Sequence, residues 1–322
     1  MKSLQNFSRV KILVIGDLML DRYWWGSVSR ISPEAPVPIV HLNESTFAVG
    51  GAANVAANIS GLGAKAYLVG IVGNDDESNL FKDGLKKVNV TDEYLLHSKN
   101  RPTIVKTRVI AHNQQVVRID QEVVKRLDEE EERQLLQQIA ALAEEIDLII
   151  CSDYAKGVLS DKILEKTIQI AKEKNKKVIV DPKGKNYQKY KGANLLTPNK
   201  KEAAEACKFD DHEKNWIFKG GQKLISEVDL EAILITQGED GMTLIKNDGS
   251  SRHLHACARQ IYDVTGAGDT VIATLGVALG AGNTLENASE IANIAAGLVV
   301  EQVGTTAIKF DDLKHYLEKA EL

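Results

Sequence analysis

Cysteine, proline and aromatic side chains are scarce in this chain of 322 residues. The three cysteines, Cys151, Cys207 and Cys257, stand far apart, and none falls in a C-x-x-C spacing. That excludes a disulfide framework and a cysteine zinc site, and an odd, low number suits a reducing cytosol. The seven histidines show no H-x-x-x-H or H-E-x-x-H pattern, so a histidine metal site is not expected. An excess of positive charge is also missing: 40 Lys and Arg stand against 45 Asp and Glu, a net charge of −5. No global electrostatic reason to bind nucleic acid exists. The longest apolar stretch, Val271 to Ala281, is too short to cross a bilayer as a helix. Met1 to Arg9 lack the apolar core of a signal peptide. A cytoplasmic protein with no membrane partner is the expectation. No G-x-x-x-x-G-K-[ST] sequence occurs, which argues against a P-loop nucleotidase.

What the chain does have is an ordinary globular composition, 43% apolar and 26% charged, and a rhythm. Short apolar runs at 11–15, 66–72, 147–151, 177–180, 194–196 and 232–235 read as buried strands. Stretches of helical spacing lie between them, at 52–60, 132–145, 160–173 and 200–206. Strands alternating with helices predict an α/β fold with a mostly parallel sheet covered on both faces. Two segments break the rhythm. Residues 21–42 hold three of the six prolines, and residues 101–120 alternate apolar and polar side chains. Both read as a small antiparallel sheet on one edge of the main domain, able to act as a lid. The acidic run 128–132 reads as the first turn of a helix.

Four local patterns carry chemistry. Asp263-Val264-Thr265-Gly266-Ala267-Gly268-Asp269 precedes an apolar helix expected over 270–279. Glycines before a helix let backbone N–H groups face an anion, and the helix dipole adds to the attraction. A carboxylate closing the loop could take a proton from an attacking hydroxyl. The competing reading is a glycine turn with Asp269 as helix cap. Gly50-Gly51-Ala52-Ala53-Asn54 permits close approach of a polyol at a helix start, or merely tight packing of helix on sheet. Gly61-Leu62-Gly63-Ala64-Lys65-Ala66 superficially fits a dinucleotide fingerprint but lies between helix and strand, the wrong order. Thr197-Pro198-Asn199-Lys200-Lys201-Glu202 is either a capping box or a magnesium–phosphate organiser. Thr236 to Gly241 follows a strand and reads as a crevice loop, a hairpin turn or both. Arg30, Arg108, Lys156 and Lys183 lie near candidate loops, and Lys156 and Lys183 each follow a buried strand.

Together the segments 50–73 and 263–269 resemble, in order and separation, the two signatures of the ribokinase-like (PfkB) carbohydrate kinases. Within that family, segments 16–40, 152–157, 181–184, 196–199 and 266–272 are similar to the bacterial heptose-7-phosphate kinases. The resemblance implies a three-layer α/β/α ribokinase-like domain with a β-sheet lid, one kinase unit over residues 1–322. It implies transfer of the ATP γ-phosphate to the anomeric hydroxyl of D-glycero-β-D-manno-heptose 7-phosphate. The product would be the 1,7-bisphosphate, on the route to ADP-heptose and the lipopolysaccharide inner core. Asp269 would be the base, with Gly266, Ala267 and Gly268 as the anion hole. Asn199 and Glu202 would organise phosphate and Mg2+, Glu202 through water. Thr236, Gly238, Gly241 and Asn293 would line the ATP pocket, and Asp17, Gly50, Gly51 and Asn54 would hold the sugar. Asp263 and Thr265 match positions that carry a monovalent cation such as K+ in some members. Thr274 departs from the family's small residue there, and no H-x-G-H nucleotidyltransferase motif occurs.

The substrate's own phosphate needs a cation, for which Arg108, Lys156 and Lys183 are the candidates. The rivals are another sugar kinase on the same fold, a non-catalytic sugar-binding protein and, less well supported, a nicotinamide oxidoreductase. An exposed lid has unpaired edges that two copies could protect by pairing as a homodimer, with Trp24 and Trp25 either there or in the chain's own core.

Overall fold

The computed structural model describes residues 4–112, 114–209, 216–258, 263–301 and 306–320. The chain opens with β1 (Lys11–Gly16), then runs out into β2 (Leu18–Ile31) and β3 (Pro38–Gly51) before α1 (Ala52–Gly61) and β4 (Lys65–Gly73). There follow α2 (Asp76–Lys87), β5 (Leu95–Ser98), β6 (Ile104–Ala111), β7 (Gln114–Gln121) and α3 (Glu129–Leu142). Next come β8 (Leu148–Ser152), α4 (Asp161–Glu173), β9 (Lys177–Asp181), β10 (Leu195–Leu196), α5 (Lys200–Cys207) and α6 (Trp216–Val228). The remainder is β11 (Ala232–Thr236), β12 (Met242–Lys246), β13 (Ser251–Leu254), α7 (Ala267–Gly280), α8 (Leu285–Val300) and α9 (Phe310–Ala320).

The main sheet has the order β13-β12-β11-β10-β9-β8-β1-β4-β5. All its pairs are parallel except β11–β12 and β12–β13. β1 explains why KILVI is an unbroken apolar run. Ile12 and Val14 belong to the core under one helical layer, Leu13 and Ile15 to the core under the other. Each such buried side chain is worth about 1.5–3 kcal/mol. Helices α1, α7 and α8 cover the first face, and α3, α4, α5 and α6 the second. This is the three-layer α/β/α arrangement expected from the sequence.

The lid is larger than residues 21–42 and 101–120. β2 and β3 form a long antiparallel hairpin from Leu18 to Gly51, and β6–β7 form a second. The two hairpins join through a parallel pair, β2–β6, so the lid sheet is mixed rather than wholly antiparallel. Trp25 stays within it, its indole N–H donating to Thr46 Oγ1 at 2.9 Å. The acidic run begins α3 as expected, with Asp128 and Glu131 forming a capping box.

The sheet order turns back at β1: β4 lies on one side and β8 on the other. In open α/β sheets ligands bind outside the carboxyl ends of strands at such a switch point. The lid leaves the sheet there, directly after Gly16.

Candidate functional site

Five of the segments singled out in sequence converge on that end of the sheet. Asp17 follows β1, Tyr154 and Lys156 follow β8, and Lys183 follows β9; Asn199 follows β10, and Thr236 ends β11. The helix α7 points its amino end at them. Its cap is Gly266, at φ +81°, a left-handed conformation that glycine adopts without strain. Asp269 is therefore not the cap: it is the third residue of the helix and is buried, with 4% exposure. The Thr270 N–H is the first to bond back into the helix, to the Gly266 carbonyl at 3.0 Å. The first-turn N–H groups of Gly268 and Asp269 have no preceding helical carbonyl to meet. A Cβ on Gly268 would meet nothing within 4 Å, so the space beside that turn is open.

Both oxygens of the Asp269 carboxylate are held. Asn54 Nδ2 donates to Oδ2 at 2.8 Å, and the Tyr154 hydroxyl donates to Oδ1 at 2.8 Å. Burial pushes the carboxyl up to about 6, while the bonds from Asn54 and Tyr154 pull it down and the like charge of Asp21 pushes it further up. Asn54 is itself fixed by Asn58, whose amide donates to the Asn54 carbonyl at 2.8 Å and whose Oδ1 accepts from Thr270 Oγ1 at 3.0 Å. A polar network thus ties α1 to α7. Asn54, expected at the sugar, is turned onto Asp269 in this structure.

Asp17 is 0% exposed. It accepts the backbone N–H groups of Tyr154 and Lys156 at 3.0 Å and of Val158 at 3.1 Å. Burial raises its pKa, and these bonds oppose the rise. Gly50 and Gly51 end β3 at the start of a helix, as the sequence suggested, and Gly51, at φ +60°, is the N-cap that turns the chain into α1. Gly50 packs against the Asp21 carboxylate, which is ion-paired with Arg108.

Two cavities adjoin at Thr236 and Gly268, which line both. The larger, about 250 Å³, takes Gly238, Gly241 and Asn293 from the residues expected at a nucleotide, and Ala267 from the expected anion hole. The Thr236–Gly241 segment is both a hairpin turn and a cavity wall. Asn293 donates to the His255 carbonyl at 2.7 Å. The smaller, about 160 Å³, is lined by Asp153, Tyr154, Asp181, Lys183, Asn199 and Glu202 among others. Asn199 and Glu202 do form the capping box: the Glu202 N–H donates to Asn199 Oδ1 at 2.9 Å, and the Asn199 N–H donates to Glu202 Oε2 at 3.1 Å. The same pair nevertheless faces the cavity, so capping and ligand contact are compatible. Asp181 is the under-partnered acid here. Among the described residues its side-chain donor is Thr197 Oγ1 at 3.4 Å, and burial with the charges of Asp269 and Glu202 holds its pKa well up. A carboxylate so placed fits a divalent cation. Among the described residues no group of three or more acidic, histidine or cysteine side chains forms a complete cage. That donor set fits Mg2+, which keeps several waters and phosphate oxygens.

The basic candidates are all ion-paired. Lys156 Nζ meets Glu122 at 2.5 Å, Lys183 meets Glu202 at 2.7 Å, and Arg108 meets Asp21. A fourth cation that sequence reasoning passed over, Lys189, meets Asp153 at 2.5 Å. It sits on a 3-10 turn after the DPKG segment, where no strand or glycine signal marks it. Tyr154 was also passed over, although it lies inside the SDYAKG segment that flagged Lys156. Thr265 N–H donates to Asp263 Oδ1 at 2.9 Å, so that pair forms a local turn.

The description pfkB family carbohydrate kinase matches residues 9–311. The chain is 47% identical over 310 residues to the bifunctional protein HldE of Methylobacillus flagellatus, covering 96% of this chain and 63% of that protein. It is 44% identical to HldE of Desulfatibacillum aliphaticivorans, covering 97% of this chain and 64% of the relative. It thus spans a little under two thirds of these curated relatives. Among solved structures it resembles Escherichia coli phosphofructokinase-2 in complex with potassium, with TM-score 0.81, 19% identity and coverage of 97% and 99%. It also resembles Arabidopsis thaliana ribokinase complexed with ribose and ATP, with TM-score 0.77, 19% identity and coverage of 96% and 98%. At those identities the likeness concerns the fold.

Proposed function

The chain belongs to the pfkB family of carbohydrate kinases, and we propose that it moves the γ-phosphoryl group of ATP to the anomeric hydroxyl of D-glycero-β-D-manno-heptose 7-phosphate. The observation that carries the reading is the buried Asp269 at the head of α7, beside an open glycine turn where two cavities adjoin. The choice of heptose rests on segment 16–40 and on 44–47% identity to relatives named HldE.

In this reading ATP lies in the larger cavity with its γ-phosphate near Gly268. The sugar's C1 hydroxyl gives its proton to Asp269. The sugar oxygen forms a bond to the γ-phosphorus as the bond to the β–γ bridging oxygen breaks, and ADP leaves with that electron pair. The N–H groups of the first turn of α7 and the helix dipole face the charge that develops on the phosphoryl oxygens. Mg2+, when bound, neutralises phosphate charge; Glu202 and Asn199, with Asp181 behind them, would hold it through water. The lid closes over the sugar and excludes water.

The same reading assigns the 322 residues to one kinase unit in the cytoplasm, with a monovalent cation site at Asp263 and Thr265. Among the described residues no helix is long and apolar enough to cross a membrane. A homodimer through the lid would cover Val117 and Ile119, which are 47% and 48% exposed on β7. Sedimentation of the parent and of Ile119→Lys tests that assembly, and potassium against sodium in the assay tests the cation. The deciding experiment is ATP with synthetic heptose 7-phosphate, read by phosphorus NMR. A 1,7-bisphosphate product supports the assignment; turnover of ribose or fructose 6-phosphate in preference to the heptose overturns it.

A further inference from the structure

The loop after β8 is fastened from several sides. The Asp17 carboxylate takes three of its N–H groups, from Tyr154, Lys156 and Val158. Asp153 Oδ1 accepts the Ala155 N–H at 2.7 Å. The buried Arg101 donates to the carbonyls of Lys156 and Lys125, bridging the loop to the segment before α3. Ala155 stands at φ +55°, a left-handed conformation that a non-glycine residue rarely adopts. Such a residue persists only where its surroundings over-determine it. The fully buried Asp17 therefore serves to freeze one short loop.

What that loop presents is the Tyr154 hydroxyl, 2.8 Å from Asp269 Oδ1. Phenylalanine would fill the same space. The hydroxyl is what adds a directional bond to the carboxylate.

We propose that Tyr154 is a positioning residue for the base: its hydroxyl, aimed by the Asp17-anchored loop, fixes the rotation of the Asp269 carboxylate and steadies its charged form. This rests on Asp269 being the base. Asn54, from α1, fixes only the other oxygen, so without Tyr154 one oxygen loses its donor. The charged or titratable groups around Asp269 are Asp21 on β2, itself paired with Arg108 on β6, Asp181 on β9, and Tyr154. Asp21 opposes ionisation of Asp269, so the hydrogen-bond donors must sustain it. Burial keeps the Tyr154 phenol protonated, well above its usual range, so it remains a donor wherever the enzyme works.

The test uses Tyr154→Phe and Asp269→Asn in parallel, assayed with ATP and heptose 7-phosphate across roughly pH 5–9. Tyr154→Phe is expected to melt like the parent and to keep its KM for ATP. Its kcat should fall about ten-fold near pH 5, about three-fold near pH 6.5 and less at high pH, with the acid limb displaced upward by about one pH unit. Carbon-13 NMR of the Asp269 carboxyl, assigned with Asp269→Asn, should show the same displacement with no substrate present. An acid limb and NMR titration unchanged from the parent overturn the inference, even if kcat falls, because a packing defect lowers rate without moving either. Asp269→Asn separates the two readings. Near-parental turnover in that variant overturns the base assignment itself. An inactive Asp269→Asn beside an unaltered Tyr154→Phe overturns only the role given to Tyr154.

Discussion

Asp17 and Asp269 are both buried carboxylates with raised pKa values, and they are put to opposite uses. Asp17 accepts three backbone N–H groups from a single loop. Asp269 accepts two side-chain donors, from Asn54 and Tyr154, which come from separate elements. Backbone donors are fixed by the fold and hold the carboxylate in one orientation. Side-chain donors can turn, and the residues beside Asp269, Gly268 and Tyr154, line a cavity. Burial alone marks neither acid as reactive; the kind of partner and what lies next to it do.

The comparison is broken most sharply at Asp269. Asp269→Asn should lower kcat by roughly 10²–10⁴-fold while leaving ATP binding intact. Its stability should change in the other direction. Burial holds the carboxyl at about 6 in the folded chain, above its ordinary value of 3.8. The proton is held more tightly when folded, so that stability is fully present below pH 3.8 and is lost as pH rises through about 6. The penalty at pH 8 is on the order of 2–3 kcal/mol, and the asparagine variant escapes it. Melting curves at pH 4 and pH 8 read the difference: the variant gains on the parent only at the higher pH. A parent-like rate, or no gain at pH 8, breaks the contrast.

Asp17→Ala should do the reverse, unfolding more easily by about 3 kcal/mol because buried N–H donors lose their acceptor. Urea midpoints check this. An unchanged midpoint would mean that the loop after β8 holds itself.

Smaller effects sharpen the picture around the cavity. Arg108, Lys156, Lys183 and Lys189 each neutralise an acid in the free enzyme, so an incoming phosphate must share or displace those acids. Alanine at one or more of them should weaken heptose 7-phosphate binding by roughly 10- to 150-fold, the loss of one charge-assisted bond, with ATP affinity nearly unchanged. Calorimetry with each ligand reads this, and four parent-like variants would place the phosphate pocket elsewhere. The smallest expected change is Asn199→Ala, about 1 kcal/mol of stability from the lost cap. A magnesium titration of its activity tells whether Asn199 also serves the phosphate side: a higher magnesium requirement supports that role, and an unchanged one leaves it a cap.

The local pieces were legible in residue order alone. KILVI read as a buried strand, and the glycines before the apolar run at 270–279 as a loop entering a helix. The acidic run at 128–132 read correctly as a helix start because capping is local chemistry. The lid was legible but its limits were not. β2 reaches back to Leu18 and β3 on to Gly51, where strand and sheet-core apolar residues look alike in sequence. Its parallel β2–β6 seam joins segments some eighty residues apart, which no periodicity records. The same holds at the site. Asn54 meets Asp269 across 215 positions and Tyr154 meets it across 115. Residue type and spacing report what neighbours along the chain can form. Which buried carboxylate receives backbone amides, and which receives a phenol and an amide beside an open cavity, follows from how distant elements pack, and no local spacing encodes that.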